Sequence, residues 1–317
     1  MNQARLVTGR RFSRNTWGPK LLAALVFLVL LPYGLGNGCA PREATPEVPI
    51  VLVTIPPLEF FVRELAGDAV EVRCLLPPGA DPHGYEPGVS QLRALESASL
   101  IVTVGHPALS FERAIIDRLP GAAASNVVVG FAGALDTPDP HVWLSPDRCR
   151  TLSRNLSERL SATWPSLAPT ISERADSLDG AITRLDHRIR SVLSQDQGGA
   201  FLVVHDAWGP FADAYGLEQI AIEEDGHEPG PERIAAILSR ARATHLGAVF
   251  VEPQFSRQSA ELIASEIGAE VVVLDPLSTD WSDNLIKAAE AIAAAGTTPA
   301  PTATPQNGTT DPKSGTL

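Results

Sequence analysis

The chain is poor in the features that mark several familiar classes. Its 25 lysines and arginines are outnumbered by 37 aspartates and glutamates, giving a net charge of −12 over 317 residues. Without a basic excess there is little to neutralise a phosphate backbone, which argues against nucleic acid as a partner. Cysteine is scarce, with three in all: Cys39, Cys74 and Cys149. The order of residues around Cys39 places it in a targeting segment. That leaves two thiols, and sequence alone does not show whether they lie close enough to bridge. No His-Glu-x-x-His pair occurs, so the helical zinc-hydrolase motif is missing. The apolar run at 21–31 is short for a membrane-spanning helix.

The ends of the chain read as targeting and tether. Arg5, Arg10, Arg11, Arg14 and Lys20 precede the apolar run, and the small residues of 34–38 separate it from Cys39. That order is the layout of an export signal. Cys39 stands where a bacterial lipoprotein is cleaved and acylated, with Gly36 in place of the aliphatic residue usual three positions before it. The competing reading is an anchor that is never cleaved. Residues 1–38 are therefore expected to be the export signal, and 39–49, rich in proline and glutamate, a tether. Residues 296–317 hold too few apolar side chains to order themselves. The expected location is periplasmic, or the outer face of the cytoplasmic membrane, with a lipid on Cys39 as the only membrane attachment.

Between these ends, short β-branched runs alternate with helical patterns. Runs at 50–55, 70–76, 100–104 and 126–129 are separated by patterns at 56–65, 89–95 and 111–119. After Gly198-Gly199 the alternation restarts, with runs at 201–204, 217–222, 248–251 and 270–274. Such alternation implies parallel strand pairing and an α/β layer structure. Between the two halves, 166–193 contains no proline after Pro169, and Ile171, Leu178, Ile182, Leu185, Ile189 and Val192 recur at helical intervals. A helix of that length would span about 40 Å, the width of a domain. The expected organisation is an N-terminal α/β lobe at 50–164, a connecting helix at 165–196 and a C-terminal α/β lobe at 197–295, each lobe with its own core.

One tripeptide occurs twice. Asp81-Pro82-His83 follows the run at 70–76, and Asp139-Pro140-His141 precedes Val142-Trp143-Leu144. In each, proline stiffens the backbone just before the imidazole. His205 ends the run Phe201-Leu202-Val203-Val204, and Asp275 ends Val271-Val272-Val273-Leu274. In open α/β sheets ligands collect beyond the carboxyl ends of strands. His83, His205 and Asp275 fall there, and His141 sits in a comparable loop. Three imidazoles and a carboxylate suit a borderline-soft divalent metal, zinc first and manganese as the alternative. Asp206 and Glu252 are placed to orient imidazoles by hydrogen bonds or, on the plainer reading, to form salt bridges at the rim. His106 lies at the end of another strand and could approach the same cleft; His227 reads as a rim residue, His187 as solvated, and His245 as closing a turn.

These stretches, with Ile55-Pro56-Pro57-Leu58, His205-Asp206-Ala207-Trp208, Gly226-His227-Glu228-Pro229 and Val251-Glu252-Pro253-Gln254, appear in an order that resembles the zinc/manganese class of solute-binding proteins feeding ABC importers. The resemblance covers roughly 50–294. It implies two Rossmann-like α/β lobes with mainly parallel sheets, one long backbone helix, and one metal bound between the lobes by His83, His141, His205 and Asp275. It also implies an ABC permease in the inner membrane as partner, a monomeric carrier, and no enzymatic activity. Histidine at position 205, where manganese binders of the class tend to carry glutamate, leans toward zinc. Many zinc members carry a long His-rich loop before the second tripeptide, whereas 130–138 here contains no histidine.

Two other functions compete with metal capture. A surface adhesion protein on the same fold would bind its partner without the metal site. A zinc hydrolase would need one of the four ligands replaced by water. Reference imidazole pKa values near 6.5 predict that protons begin to displace the metal as pH falls through about 6.

Overall fold

A computed structural model describes residues 48–119, 124–196, 199–223 and 230–296. The expected export signal, most of the tether, the C-terminal tail and His227 lie outside the described residues.

Two four-stranded sheets form, each wholly parallel. The first contains β1 (Ile50–Val53), β2 (Glu71–Cys74), β3 (Leu100–Thr103) and β4 (Val127–Val129) in the order β2-β1-β3-β4. The second contains β5 (Ala200–Val203), β6 (Glu218–Ala221), β7 (Ala248–Val251) and β8 (Glu270–Val273) in the order β6-β5-β7-β8. The central strands β3 and β7 are buried at every position and apolar except for Thr103, as strands covered on both faces must be. The edge strands β2 and β8 begin with exposed glutamates, Glu71 and Glu270.

Helices α1 (Pro57–Ala66), α2 (Val89–Ser97) and α3 (Ser110–Ile116) belong to the first lobe. α4 (Pro146–Thr163) and α5 (Ala168–Val192) lead away from it, and α6 (Gly209–Tyr215), α7 (Pro231–Ala243), α8 (Arg257–Ile267) and α9 (Trp281–Gly296) complete the second. Pro57, Pro146 and Pro231 sit in first turns, where a missing N–H costs nothing. The end of α7 explains His245: with φ 54° it is the non-glycine residue in the left-handed region among those described. Its N–H bonds to Arg242 O while Leu246 N–H bonds to Ala241 O, the double closure that commonly uses glycine.

The long helix is α5, 25 residues and about 38 Å, flanked by short 3-10 turns at Pro165–Leu167 and Leu193–Gln195. It buries Ile171, Leu178, Ile182 and Ile189. Against the expectation of a separate core for each lobe, one apolar cluster runs through the whole body. It contains Val51 and Phe61 of the first lobe, Leu152 of α4, Ile182 of α5, and Phe201, Val203, Phe250 and Leu285 of the second. The reason is strand alternation. Phe201 and Val203 point one way, into the shared core, while Leu202 and Val204 point the other, into a smaller cluster with Ile237 and Ile263.

Two buried indoles tie the lobes together. Trp143 Nε1 donates to Pro276 O at 2.8 Å, and Trp281 Nε1 donates to Trp143 O at 2.8 Å. The bonds join residues 133 and 138 positions apart. Trp281 also packs on Phe61, with ring centroids 4.8 Å apart. The Cys149 thiol donates to the same Trp143 carbonyl at 3.2 Å. Both Cys74 and Cys149 are free, which resolves the question sequence left open.

Trp143→Phe and Trp281→Phe keep a ring and delete a donor; the first strands the Pro276 carbonyl, and the second leaves the Trp143 carbonyl with only the Cys149 thiol. Each is expected to lower the unfolding free energy by about 1–3 kcal/mol, read as a lower urea midpoint. A change inside the roughly ±0.5 kcal/mol of an ordinary surface substitution would show that the bonds do not hold the lobes.

Candidate metal centre

Each of the four expected ligand positions follows the local logic of its segment. Beyond β2, Leu75 and Leu76 continue the pairing along β1, and Pro77-Pro78 then ends it. In the turn that follows, Asp81 Oδ1 accepts the His83 N–H at 2.9 Å. The second tripeptide repeats this: Asp139 Oδ1 accepts the His141 N–H at 2.8 Å. The same oxygen lies 2.8 Å from His141 Nδ1. An ionised carboxylate only accepts, so the His141 proton sits on Nδ1 and its Nε2 presents a lone pair. His205 follows β5 directly, its ring stacked on Phe255 with centroids 4.9 Å apart.

The three histidines converge. Ligand atoms of His83, His141 and His205 all lie within 4.8 Å of one another. Ring centroids are separated by 5.1, 5.2 and 5.1 Å, a nearly equilateral triangle. His83 Nε2 and His141 Nε2 approach to 3.1 Å. His141 and His205 are buried, and His83 is half-buried. Neither ring nitrogen of His205 has a hydrogen-bond partner. Asp206 Oδ1 comes within 3.1 Å of Nδ1, but off the line a hydrogen bond requires. A buried polar group left unpaired costs free energy, and such an imidazole at the centre of a histidine triangle fits a metal ligand.

The electrostatics point the same way. Burial, and then the neighbouring His141 and His83, lower the His205 pKa to about 3. Burial and His141 also lower that of His83, against the pull of Asp81, Asp206 and Asp139. Both rings are therefore neutral at neutral pH, the form a metal needs. The expectation that protons compete from about pH 6 is corrected for these two rings, because desolvation moves their titration lower.

Asp275 stands apart from the triangle. Its Oδ1 accepts from Leu277 N–H at 3.0 Å and from Gln254 Nε2 at 3.4 Å. It lines a cleft of about 600 Å³ with Pro78, Arg73 and Gln254, whereas the histidines border another of about 440 Å³ with Asp81, Asp139 and Asp206. Gln254 and Leu277 lie between, touching both Asp275 and the space beside the histidines. Glu252 is buried and its Oε2 has no partner; burial and then nearby acidic groups raise its pKa to about 9. His106 is buried outside the triangle, bonded to Thr137 O and Ala108 N–H. His187 and His245 are exposed.

Sequence reasoning missed the aspartates of the tripeptides. The repeated unit was the whole of Asp-Pro-His, and that was the available signal: proline stiffens the turn, but the carboxylate holds it. It also missed Gly209, where a Cβ would lie 2.4 Å from Asp139 Oδ2. Glycine there leaves room for the carboxylate that orients His141.

Residues 51–295 match the family described as "Zinc-uptake complex component A periplasmic". The high-affinity zinc uptake system protein ZnuA of Paracoccus denitrificans is 30% identical over 300 residues, covering 79% of this chain and 90% of that protein. A crystal structure of ZnuA is similar with a TM-score of 0.74 and 35% identity, covering 79% of this chain and 100% of that one. A ZnuA deletion mutant with zinc bound is similar with a TM-score of 0.73 and 34% identity, covering 80% of this chain and 100% of that one.

The depressed His205 pKa carries a stability consequence. Its folded value of about 3 lies below the unfolded value near 6.5, so the unfolded chain binds the extra proton between them. The stabilisation is complete above about pH 6.5 and is lost as pH falls toward about 3. Urea unfolding of metal-free protein at pH 7.5 and pH 4 should show this loss, on the order of a few kcal/mol, and a smaller loss in His205→Gln. Equal losses in both proteins would place the His205 titration at its ordinary value.

Proposed function

The chain belongs to the family of periplasmic zinc-uptake complex components, and we propose that it holds its zinc on His83, His141 and His205 with Asp275 as the fourth ligand. Its function is extracytoplasmic capture of zinc for an ABC importer, whose permease is its partner. It is a binding component and not an enzyme.

The observation that carries the ligand assignment is the buried imidazole of His205, without a hydrogen-bond partner, inside a triangle of three histidines. The arrangement supports binding in a definite way. Asp139 holds the His141 proton on Nδ1 and turns Nε2 to the cluster, a common support for metal-bound histidine. Asp275 gives up its contact with Gln254 and supplies the one negative charge among the four donors. Three nitrogens and one oxygen complete a tetrahedral zinc site, and a fully protein-ligated site has no position for a reactive water. The same donor set favours zinc over manganese, which prefers oxygen ligands. Asp206, beside His205, adds negative charge near the site, while Glu252, whose pKa burial and then nearby carboxylates raise to about 9, stays protonated and adds none.

Metal analysis of protein equilibrated with equal zinc and manganese should find one zinc per chain. His205→Ala should lose more affinity than the roughly 10–100-fold expected of a residue outside the coordination sphere, and Asp275→Asn should weaken binding in the same direction. His205→Glu should move the preference toward manganese. Wild-type zinc affinity in Asp275→Asn would remove Asp275 from the ligand set, and an unchanged metal ratio in His205→Glu would remove His205.

We further propose that Cys39 is the first residue of the mature chain, that lipid on it anchors a monomer to the membrane, and that residues 39–49 form the tether. One acyl chain binds only marginally, so stable anchoring requires more than one. Mass spectrometry of the mature N-terminus should find a multiply acylated Cys39. An unmodified residue upstream of it would overturn the anchor.

A further inference from the structure

We propose that His106 is a positioning residue for the metal site, acting on His141 through the turn that carries Asp139. This rests on His141 being a ligand, as argued above.

His106 is 7% exposed and sits just beyond the end of β3. Its ring is fully used. The Ala108 N–H donates to Nδ1 at 3.2 Å, so Nδ1 accepts and the ring proton resides on Nε2. Nε2 donates to Thr137 O at 2.9 Å, a bond between loops 31 residues apart. Thr137 Oγ1 then accepts the Asp139 N–H at 3.2 Å. Asp139 Oδ1 accepts both the backbone N–H and Nδ1–H of His141. A continuous set of hydrogen bonds thus runs from His106 to the tautomer and direction of a ligand imidazole.

The near end of this chain is firmly based. Glu112, buried under the loop, accepts the Val104 N–H and the Gly105 N–H at 2.8 Å each and the Thr54 hydroxyl. Gly105 has φ +86°, and a Cβ there would lie 2.2 Å from Val129 Cγ1, so the turn that delivers His106 requires glycine. The loop between β4 and the second tripeptide is held earlier on by Asn155 and Arg148, which bond to Gly130 O, Ala132 O and Ala134 O. Arg148 also holds Asp136 Oδ1 at 2.6 Å, one residue short of Thr137. His106 takes the next step, binding the Thr137 carbonyl, and its proton must be on Nε2 for it to do so.

The test separates the bond to Thr137 from the local bond to Ala108. His106→Gln keeps a donor at the far end of the side chain and should bind zinc within a few-fold of wild type. His106→Asn keeps an acceptor for the Ala108 N–H, but its shorter amide does not reach Thr137 O, and it should lose roughly 10–100-fold in zinc affinity, as expected when a partner that orients a ligand is removed. His106→Leu should lose as much, with circular dichroism unchanged. Nitrogen NMR of the metal-free protein should show His141 as the Nδ1–H tautomer in wild type and His106→Gln, and a tautomer mixture in His106→Asn and His106→Leu. The His106→Asn/His141→Ala double variant should bind zinc no more weakly than His141→Ala alone. If His141→Ala weakens zinc while His106→Asn binds as wild type with the tautomer intact, the positioning role is overturned and the ligand assignment stands. Additive losses in the double variant would also overturn it, as the effect would then bypass His141. If His141→Ala itself binds zinc as wild type, the ligand assignment fails, and this inference with it.

Discussion

Two buried indole N–H groups set the distance between the lobes, and the histidine triangle depends on that distance. His83 and His141 come from the first lobe and His205 from the second. Trp143 is two residues from His141 and donates to Pro276, which is next to Asp275. Trp281 closes the link by donating back to Trp143. Breaking either bond without a replacement strands a polar group away from water. Sliding one lobe past the other would also open a core that runs through both, and such cores do not deform continuously. Large relative movement of the lobes would have to break these bonds and open that shared core.

The site is built at a cost to the protein's stability. Three imidazoles share a small buried space, and neither His205 nitrogen has a hydrogen-bond partner. The desolvation that makes this unfavourable also keeps His205 and His83 neutral, leaving lone pairs ready for a cation. The aspartates beside the rings work in the other direction, orienting imidazoles through Asp139 and supporting positive charge at His83 through Asp81, Asp206 and Asp139. Glu252, with its pKa raised to about 9, keeps its proton at neutral pH and spares the interior a further negative charge. Strain of this kind is expected at functional sites and is offset by packing elsewhere, here the shared core and the long helix.

Much of the architecture was legible because it is written in local period and punctuation. Short runs rich in β-branched residues, such as Leu100–Thr103 and Ala248–Val251, announce buried parallel strands. The helical recurrence of Ile171, Leu178, Ile182 and Ile189 announces α5 and the face it buries. The repeated tripeptide announced His83 and His141, and the position of His205 after a strand announced the third member of the triangle. Less legible were Gly209, which matters only because Asp139 packs against it, and the place of His106, whose partner is 31 residues away. No spacing rule connects such pairs; each is a meeting of loops.

By itself the sequence determined the chemistry available: which donors exist, that they sit at strand ends and in proline-stiffened turns, and that two α/β halves flank one long helix. Those are consequences of backbone geometry and side-chain type over a few neighbouring residues. The tertiary structure decided what depends on distance through space. It joined the two expected cores into one, because alternate residues of β5 face opposite ways and one face meets the first lobe. It left both remaining thiols free, and it lowered the pKa of His205 by enclosing it. Asp275 it held apart on Leu277 and Gln254, while His106 it turned to bind a loop instead of the cluster. Burial and long-range contact are properties of the packed chain, and no stretch of sequence carries them alone.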